Sequence, residues 1–142
     1  MSQATIYGVL DVGIVNNGTD TTFASGVSGT SRLGFKGTED LGGGLKAGFV
    51  IETGLSNKAA TPTSLGDRGA HLSLSGGFGT VQFGAGVLSA AFFGRAATDP
   101  TGTSNYAIAK YAGSVRNNSS INYTSPNMGG AVVRYSTVLA AD

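Results

Sequence analysis

Cysteine and tryptophan are absent from this 142-residue chain, histidine occurs once, proline three times, and charged residues make up only 12%. Without cysteine there is no disulfide, no thiolate zinc site and no cysteine nucleophile. The lone histidine, His71, cannot supply a two-histidine metal site or a facial triad within one chain. Nine Lys and Arg against eight Asp and Glu leave a formal charge of +1. No basic stripe interleaves with aromatics, so nucleic-acid binding has no electrostatic footprint. Glycine, by contrast, is abundant at 24 residues, about one in six. Each interior glycine costs a helix roughly 1 kcal/mol relative to alanine, which argues against a helix bundle. The glycines keep no three-residue period, which excludes collagen. A hydrophobic fraction of 40% is too high for a wholly disordered chain.

Long apolar runs are missing too. The longest uncharged stretch, Gly69 to Gly94, contains seven glycines, and its Leu72/Leu74 and Val81/Phe83 pairs repeat at period two. That is strand periodicity, not a transmembrane helix. Met1-Ser2-Gln3 leads straight into a strand-like segment, without a basic start and an apolar run. On that reading the chain is either cytosolic or begins where a signal peptide has been removed.

Alternation organises most of the chain into one unit, 1–142. In Thr5 to Val15, Ile6, Gly8, Leu10, Val12 and Ile14 share one face, and Tyr7, Val9, Asp11, Gly13 and Val15 the other. Asn16 to Gly29 reads as a polar loop. Ser31 to Thr38 and Leu45 to Leu55 read as a hairpin across a Glu39–Gly44 turn, whose glycines accept positive φ. After a loop from Ser56 to Asp67, Ala70–Ser75 and Val81–Gly86 form a second hairpin. Strands one to five thus fall within 5–86. The segment 87–115 has no clear alternation and contains Asp99-Pro100; a structureless stretch of this length is usually functional. Within it, Asn105 to Tyr111 reads equally well as a short helix or a strand. The remainder, 116–142, carries strands six and seven, Ser119–Thr124 and Ala131–Leu139. The expectation is an all-β, antiparallel sheet of seven or eight strands without any convincing helix.

Arg32, Lys36, Lys46, Glu52, His71, Gln82, Asn122 and Arg134 all lie opposite the apolar stripe. A soluble sandwich would turn these to bulk water and hide the stripe in a core. An outer-membrane barrel would turn the stripe to lipid and these residues to a wet lumen. Short turns alternating with long loops suit the barrel, but alternation by itself leaves both open.

Other motifs read blandly. His71 reads as a solvated lumen side chain. Asp11 and Glu52 could be drawn as a glycosidase carboxylate pair, but separate lumen charges paired with Arg or Lys suffice. Gly84-x-Gly86 follows no βαβ pattern and is no dinucleotide site. Gly42-Gly43-Gly44-Leu45-Lys46 is a hairpin turn rather than a phosphate loop. Asn118-Ser119-Ser120 and Asn122-Tyr123-Thr124 match glycosylation acceptors by chance.

SRLGFKGTEDLGGGLKAG at Ser31–Gly48, preceded by TIYGVLDVGIV, resembles the general porins of beta-proteobacteria, whose pattern is LYGxxDxG followed by SRxGxxGTEDLGxGLKA. LSLSGGFGTVQFG and NNSSINYTSPNMGG follow in that family's order, so the resemblance spans essentially the whole chain. It implies a sixteen-stranded, trimeric, water-filled channel in the outer membrane, of which this chain is the N-terminal half. No enzymatic activity or cofactor is implied. The partners would be outer-membrane lipid, small hydrophilic solutes and ions, and further copies of the chain, with no nucleic acid. The resemblance makes Arg32 and Lys36 basic wall residues, and Arg68, just ahead of AHLSLSG, the arginine that opens the fourth strand. It makes 87–115 the loop that narrows the lumen, with Asp99 as its acidic group. Lys46, Glu52, His71 and Arg134 complete the expected pore lining, and the cations imply a modest preference for anions. Two departures stand out. Ala85-Gly86 replace a frequent Arg-Gln, and the chain ends after about seven strands without a terminal aromatic. Three forms remain compatible: half of a porin, a small porin closed by pairing with other copies, or a fragment whose open edges stack into oligomers or filaments without channel activity. Closure as a lone eight-stranded barrel would need a strand from Asn105–Tyr111.

Overall fold

The computed structural model describes residues 3–27, 29–56, 64–98 and 115–139. Its centre is a seven-stranded antiparallel sheet. The strands in spatial order are β1 (Gln3–Val9), β4 (Arg32–Gly42), β5 (Leu45–Gly54), β6 (Gly69–Gly76), β7 (Gly79–Ala85), β10 (Ser120–Thr124) and β11 (Arg134–Val138). Two small ribbons stand outside it: β2 (Val12–Asn16) with β3 (Thr21–Ser25), and β8 (Val87–Leu88) with β9 (Arg116–Asn117). A helix, α1 (Ala90–Thr98), follows β8.

Registers keep the two faces intact from strand to strand. Tyr7 pairs Gly34, Gly34 pairs Glu52, and Glu52 pairs Gly69. Val50 pairs His71, His71 pairs Gly84, and Gly84 pairs Ser120. Gln82 pairs Asn122, which pairs Ser136. These residues form a polar face. The opposite face carries Ile6, Leu33, Phe49, Leu72, Phe83, Ile121 and Tyr135, all exposed, with Ile6 at 68% and Leu72 at 51%. Among the described residues Val87 is the one buried hydrophobic side chain, at 1% exposure. A soluble sandwich of this size would hide its apolar stripe. Here the stripe faces outward and, among the described residues, no core lies behind it, as the wall of a barrel in lipid requires. Tyr123 and Tyr135 are cross-strand partners beside the short turns on that outer face, and the Tyr123 hydroxyl donates to the Phe78 carbonyl at 2.7 Å. Amphipathic aromatics at this level match a membrane interface.

Several elements differ from the reading of the sequence alone. The first strand does not run from Thr5 to Val15; it breaks at Leu10-Asp11. Ser31, fully buried, fastens the break: the Asp11 N–H donates to its Oγ at 2.9 Å, and that hydroxyl donates to the Asp11 carbonyl at 3.0 Å. The Asp11 carboxylate accepts N–H bonds from Val27 and Gly29 at 3.2 and 2.6 Å. Asp11 is therefore a loop staple and not a charge on the polar face. Beyond the break β2 pairs with β3, so the expected polar loop at 16–29 contains half a hairpin. TTFAS carries too few apolar residues to announce a strand, but Ile14 lies opposite Phe23. β4 runs on to Gly42, leaving only Gly43 and Gly44 as the turn.

The segment after Ala85 is partly regular, contrary to the expectation of no helix. Ser89 opens α1: the Phe92 N–H donates to the Ser89 hydroxyl at 3.1 Å, an N-cap. A run of Ala and Phe then sustains nine helical residues despite Gly94. Asn105–Tyr111 lies outside the described residues. No described helix is long and apolar enough to cross a membrane.

Candidate functional site

The long connections at one end of the sheet bring charged side chains together on the polar face. Glu52, near the end of β5, is the centre, with a side chain 13% exposed. Its Oε1 accepts the Arg68 Nε–H at 2.8 Å, and Arg116 Nη2 lies 3.6 Å from the same oxygen. Its Oε2 accepts the Tyr7 hydroxyl at 3.0 Å, with Arg32 Nε 3.6 Å away. Among the described residues three guanidinium groups therefore surround one carboxylate, an excess of two positive charges. Each arginine arrives by a different route. Arg32 projects from the start of β4, Arg68 from the residue before β6, and Arg116 from β9.

Tyr7 reaches Glu52 only because Gly34 lies between them. β4 separates β1 from β5, and a Cβ at position 34 would stand 2.6 Å from the Tyr7 hydroxyl oxygen. The missing side chain lets the phenol lie flat across the intervening strand, as aromatics cover glycines in other sheets. Lys36 sits on the other flank, its Nζ 5.4 Å from the centre of the Tyr7 ring. The phenol thus links a cation to the carboxylate cluster.

Beside the cluster is a cleft of about 190 Å³, bordered by Glu52, Arg68, His71, Val87, Phe93 and Arg116. His71 Nδ1 is buried there without a hydrogen-bond partner among the described residues. Gly86 lets the chain turn across this cleft. Its φ is +70°, and a Cβ would stand 2.5 Å from the Arg68 carbonyl oxygen. The glycine that replaces the expected Arg-Gln pair thus has a steric reason. No group of acidic and histidine side chains among the described residues is fit to hold a metal ion.

Of the residues expected from sequence, Arg32, Glu52 and Arg68 converge and His71 lines the adjoining cleft. Lys36 lies next to Tyr7. Lys46 is remote, at the short-turn end, where it pairs in register with Asp40. Arg134 stands on β11 beneath α1, its guanidinium carbon 4.3 Å from the centre of the Phe93 ring. Asp99 lies outside the described residues. Two members of the cluster were not anticipated, Tyr7 and Arg116. Alternation puts Tyr7 on the correct face, but nothing local signals its partner. Arg116 follows the aperiodic segment, where alternation gives no face at all.

An inside-out sheet with a polar face and an arginine-rich cluster is a porin's wall, and the profile of the Gram-negative porin family matches residues 1–142. The chain belongs to that family. Outer membrane porin protein 32 of Delftia acidovorans is 36% identical over 146 residues, covering 91% of this chain and 42% of that protein. Major outer membrane protein P.IB of Neisseria gonorrhoeae is 37% identical over 94 residues, 59% of this chain and 27% of the relative. Among solved structures, an anion-selective porin from Comamonas acidovorans superposes with a TM-score of 0.68 at 29% identity, covering 97% of this chain and 47% of that one. The trimer form of OmpT, an outer membrane protein of Vibrio cholerae, reaches a TM-score of 0.73 at 19% identity over 97% and 41% of the two chains. That second likeness is one of fold alone. This porin chain spans less than half the length of these relatives. Its family is an outer-membrane one without enzymatic activity, and its seven strands correspond to about half of a porin barrel.

Proposed function

We propose that this chain forms one side of a water-filled channel that lets small hydrophilic solutes and ions diffuse passively, with a preference for anions. The observation that carries the reading is the excess of two positive charges where Arg32, Arg68 and Arg116 meet Glu52 on the polar face. In a narrow wet passage between low-dielectric walls, such an excess raises the local concentration of anions and repels cations. The 87–115 segment would narrow that passage, with Arg32, Lys36, Lys46, Glu52, Arg68, His71, Asp99 and Arg134 as wall or constriction groups. Support comes from β8, α1 and β9, which cross to the polar face rather than the apolar one. In lipid every backbone N–H and C=O needs a partner. β1 and β11, at the margins of the sheet, therefore call for further strands, completing a barrel of about sixteen. Association of such barrels as homotrimers is part of the same reading, and the OmpT neighbour in trimer form supports it.

Planar-bilayer recording of the detergent-folded intact protein tests the reading. Discrete channels are expected, with a reversal potential displaced toward the anion side in a salt gradient. Arg32→Ala with Lys36→Ala should reduce that displacement. Absence of discrete channels, or a cation preference, sinks the reading. Long fibres in detergent-free electron micrographs would favour a self-stacking sheet, to which the two margins also lend themselves.

A further inference from the structure

The returning segments do more than cross the polar face; they are fastened to its far strands. Asn122, only 5% exposed, donates from Nδ2 to the Leu88 carbonyl at 3.1 Å. The Ala90 N–H, at the start of α1, donates to Ser136 Oγ at 2.8 Å. Arg134 stacks against the Phe93 ring at 4.3 Å. On the other side of the crossing, the Ser89 N–H donates to the Val115 carbonyl at 3.1 Å, and Val87 pairs Asn117. The space left between α1 and the strands bearing Gln82, Asn122, Arg134 and Ser136 is only about 10 Å³, room for one water at most. This seam is buried at Asn122, half-buried at Ser136 and open to solvent at Arg134, and it is made of residue types that alternation alone assigns to a wet wall.

Resting on the channel reading above, we infer that Asn122, Arg134 and Ser136 are positioning residues that latch 87–93 to β10 and β11 and so set the free cross-section of the channel. Arg134 is then an anchor as well as an exposed wall charge. Its guanidinium face is occupied by Phe93, and attraction to the ring quadrupole holds it there. Asn122 is the firmest member, because it is itself buried and breaking its bond takes the donor from the half-buried Leu88 carbonyl.

Single-channel recording separates an anchor from a wall charge. Asn122→Ala and Arg134→Ala should raise open-channel noise and introduce conductance substates, the undocked population growing about five- to thirtyfold. In Asn122→Ala, which removes no charge, and in Arg134→Lys, which keeps it, the reversal potential should stay where it is in the wild type. Phe93→Leu should reproduce Arg134→Ala, and the two together should be no noisier than either alone. Arg134→Lys should restore a quiet channel. A shifted reversal potential with unchanged noise, or full additivity of Arg134→Ala and Phe93→Leu, overturns the latch. The cysteine-free chain offers a second measurement that needs no loss of packing. Ala90→Cys with Ser136→Cys should cross-link under mild oxidation in the folded protein and should silence the noise of Arg134→Ala until reduced. A folded protein that does not cross-link also overturns the latch. If the wild type forms no channels the proposed function fails, while the cross-link still decides whether 87–93 is fastened to the wall.

Discussion

At the long-loop end of the polar face, Arg32, Arg68, Arg116 and the Tyr7 hydroxyl converge on the Glu52 carboxylate. At the short-turn end, Lys46 and Asp40 are opposite one another in register, yet no ion pair joins them among the described residues. The same side-chain types on the same face behave differently because of what connects the strands. The β4–β5 and β6–β7 turns are too short to fold anything back over the sheet. The long connections bring Arg68 and Arg116 inward from outside the hairpin ladder, and Gly34 opens a lane through which Tyr7 joins them. Charge is concentrated where the loops are long. The short-turn end keeps its charges apart and hydrated, in a sheet region where an open groove of about 550 Å³ runs past Thr5, Lys36, Gly48 and Ser73.

The largest expected effect comes from breaking the crowded end at its centre. Glu52→Gln removes the carboxylate on which the described arginines converge and leaves three guanidinium groups facing each other. Loss of one partner from a partly buried ionic cluster should cost about 3 kcal/mol, read as a lower urea midpoint for the detergent-folded protein. Anion preference should rise at the same time, since the charge excess grows. An unmoved midpoint would mean that the cluster is not a coupled unit. Arg68→Ala comes next. It deletes the shortest contact to Glu52 but leaves Arg32 and Arg116, so the stability cost should be nearer 1.5 kcal/mol, the low end for a charge-assisted bond. Its effect on the reversal potential should have the opposite sign, toward weaker anion preference. Same-sign shifts for these two variants would break the electrostatic account of the crowded end.

How much of this contrast is legible in sequence follows from how far each signal reaches along the chain. Face assignment is local, because a period of two needs only neighbours. Arg32, Lys36, Lys46, Glu52 and Arg134 are therefore assignable to one side, and the strand registers put them on one face. Arg68 has no alternation to place it and entered through family resemblance alone. Whatever depends on a crossing was invisible. Arg116 meets Glu52 across an aperiodic segment, Tyr7 meets it across a whole strand, and Arg134 meets Phe93 only because α1 returns to the wall. β3 was missed because its partner, β2, supplies most of the apolar surface. Asp11 was misread because a carboxylate at a strand break can bind loop N–H groups as readily as it can face solvent. The end with short turns was nearly complete from sequence; the end with long loops was not.

Two perturbations with smaller effects on ion preference sharpen the same contrast. Tyr7→Phe removes a hydroxyl but no charge, so it should lower stability by about 1.5 kcal/mol, the value for a hydrogen bond to a charged group, with almost no change in reversal potential. A clear shift in ion preference would mean that the phenol governs where Glu52 points. The smallest effect belongs to Lys46→Ala at the open end. Lys46 has an exposed side chain and a hydrated surrounding, so its field is screened over about 10 Å at 0.1 M salt. Its loss should leave the unfolding free energy within about 0.5 kcal/mol of the wild type. Any change in reversal potential should vanish as the salt concentration is raised. The Glu52→Gln shift should persist further up the same salt series, because partly buried charges at short range are screened much less. If the two variants lose their effects at the same ionic strength, the two ends of the polar face are electrostatically alike, and the crowding around Glu52 does not concentrate the field.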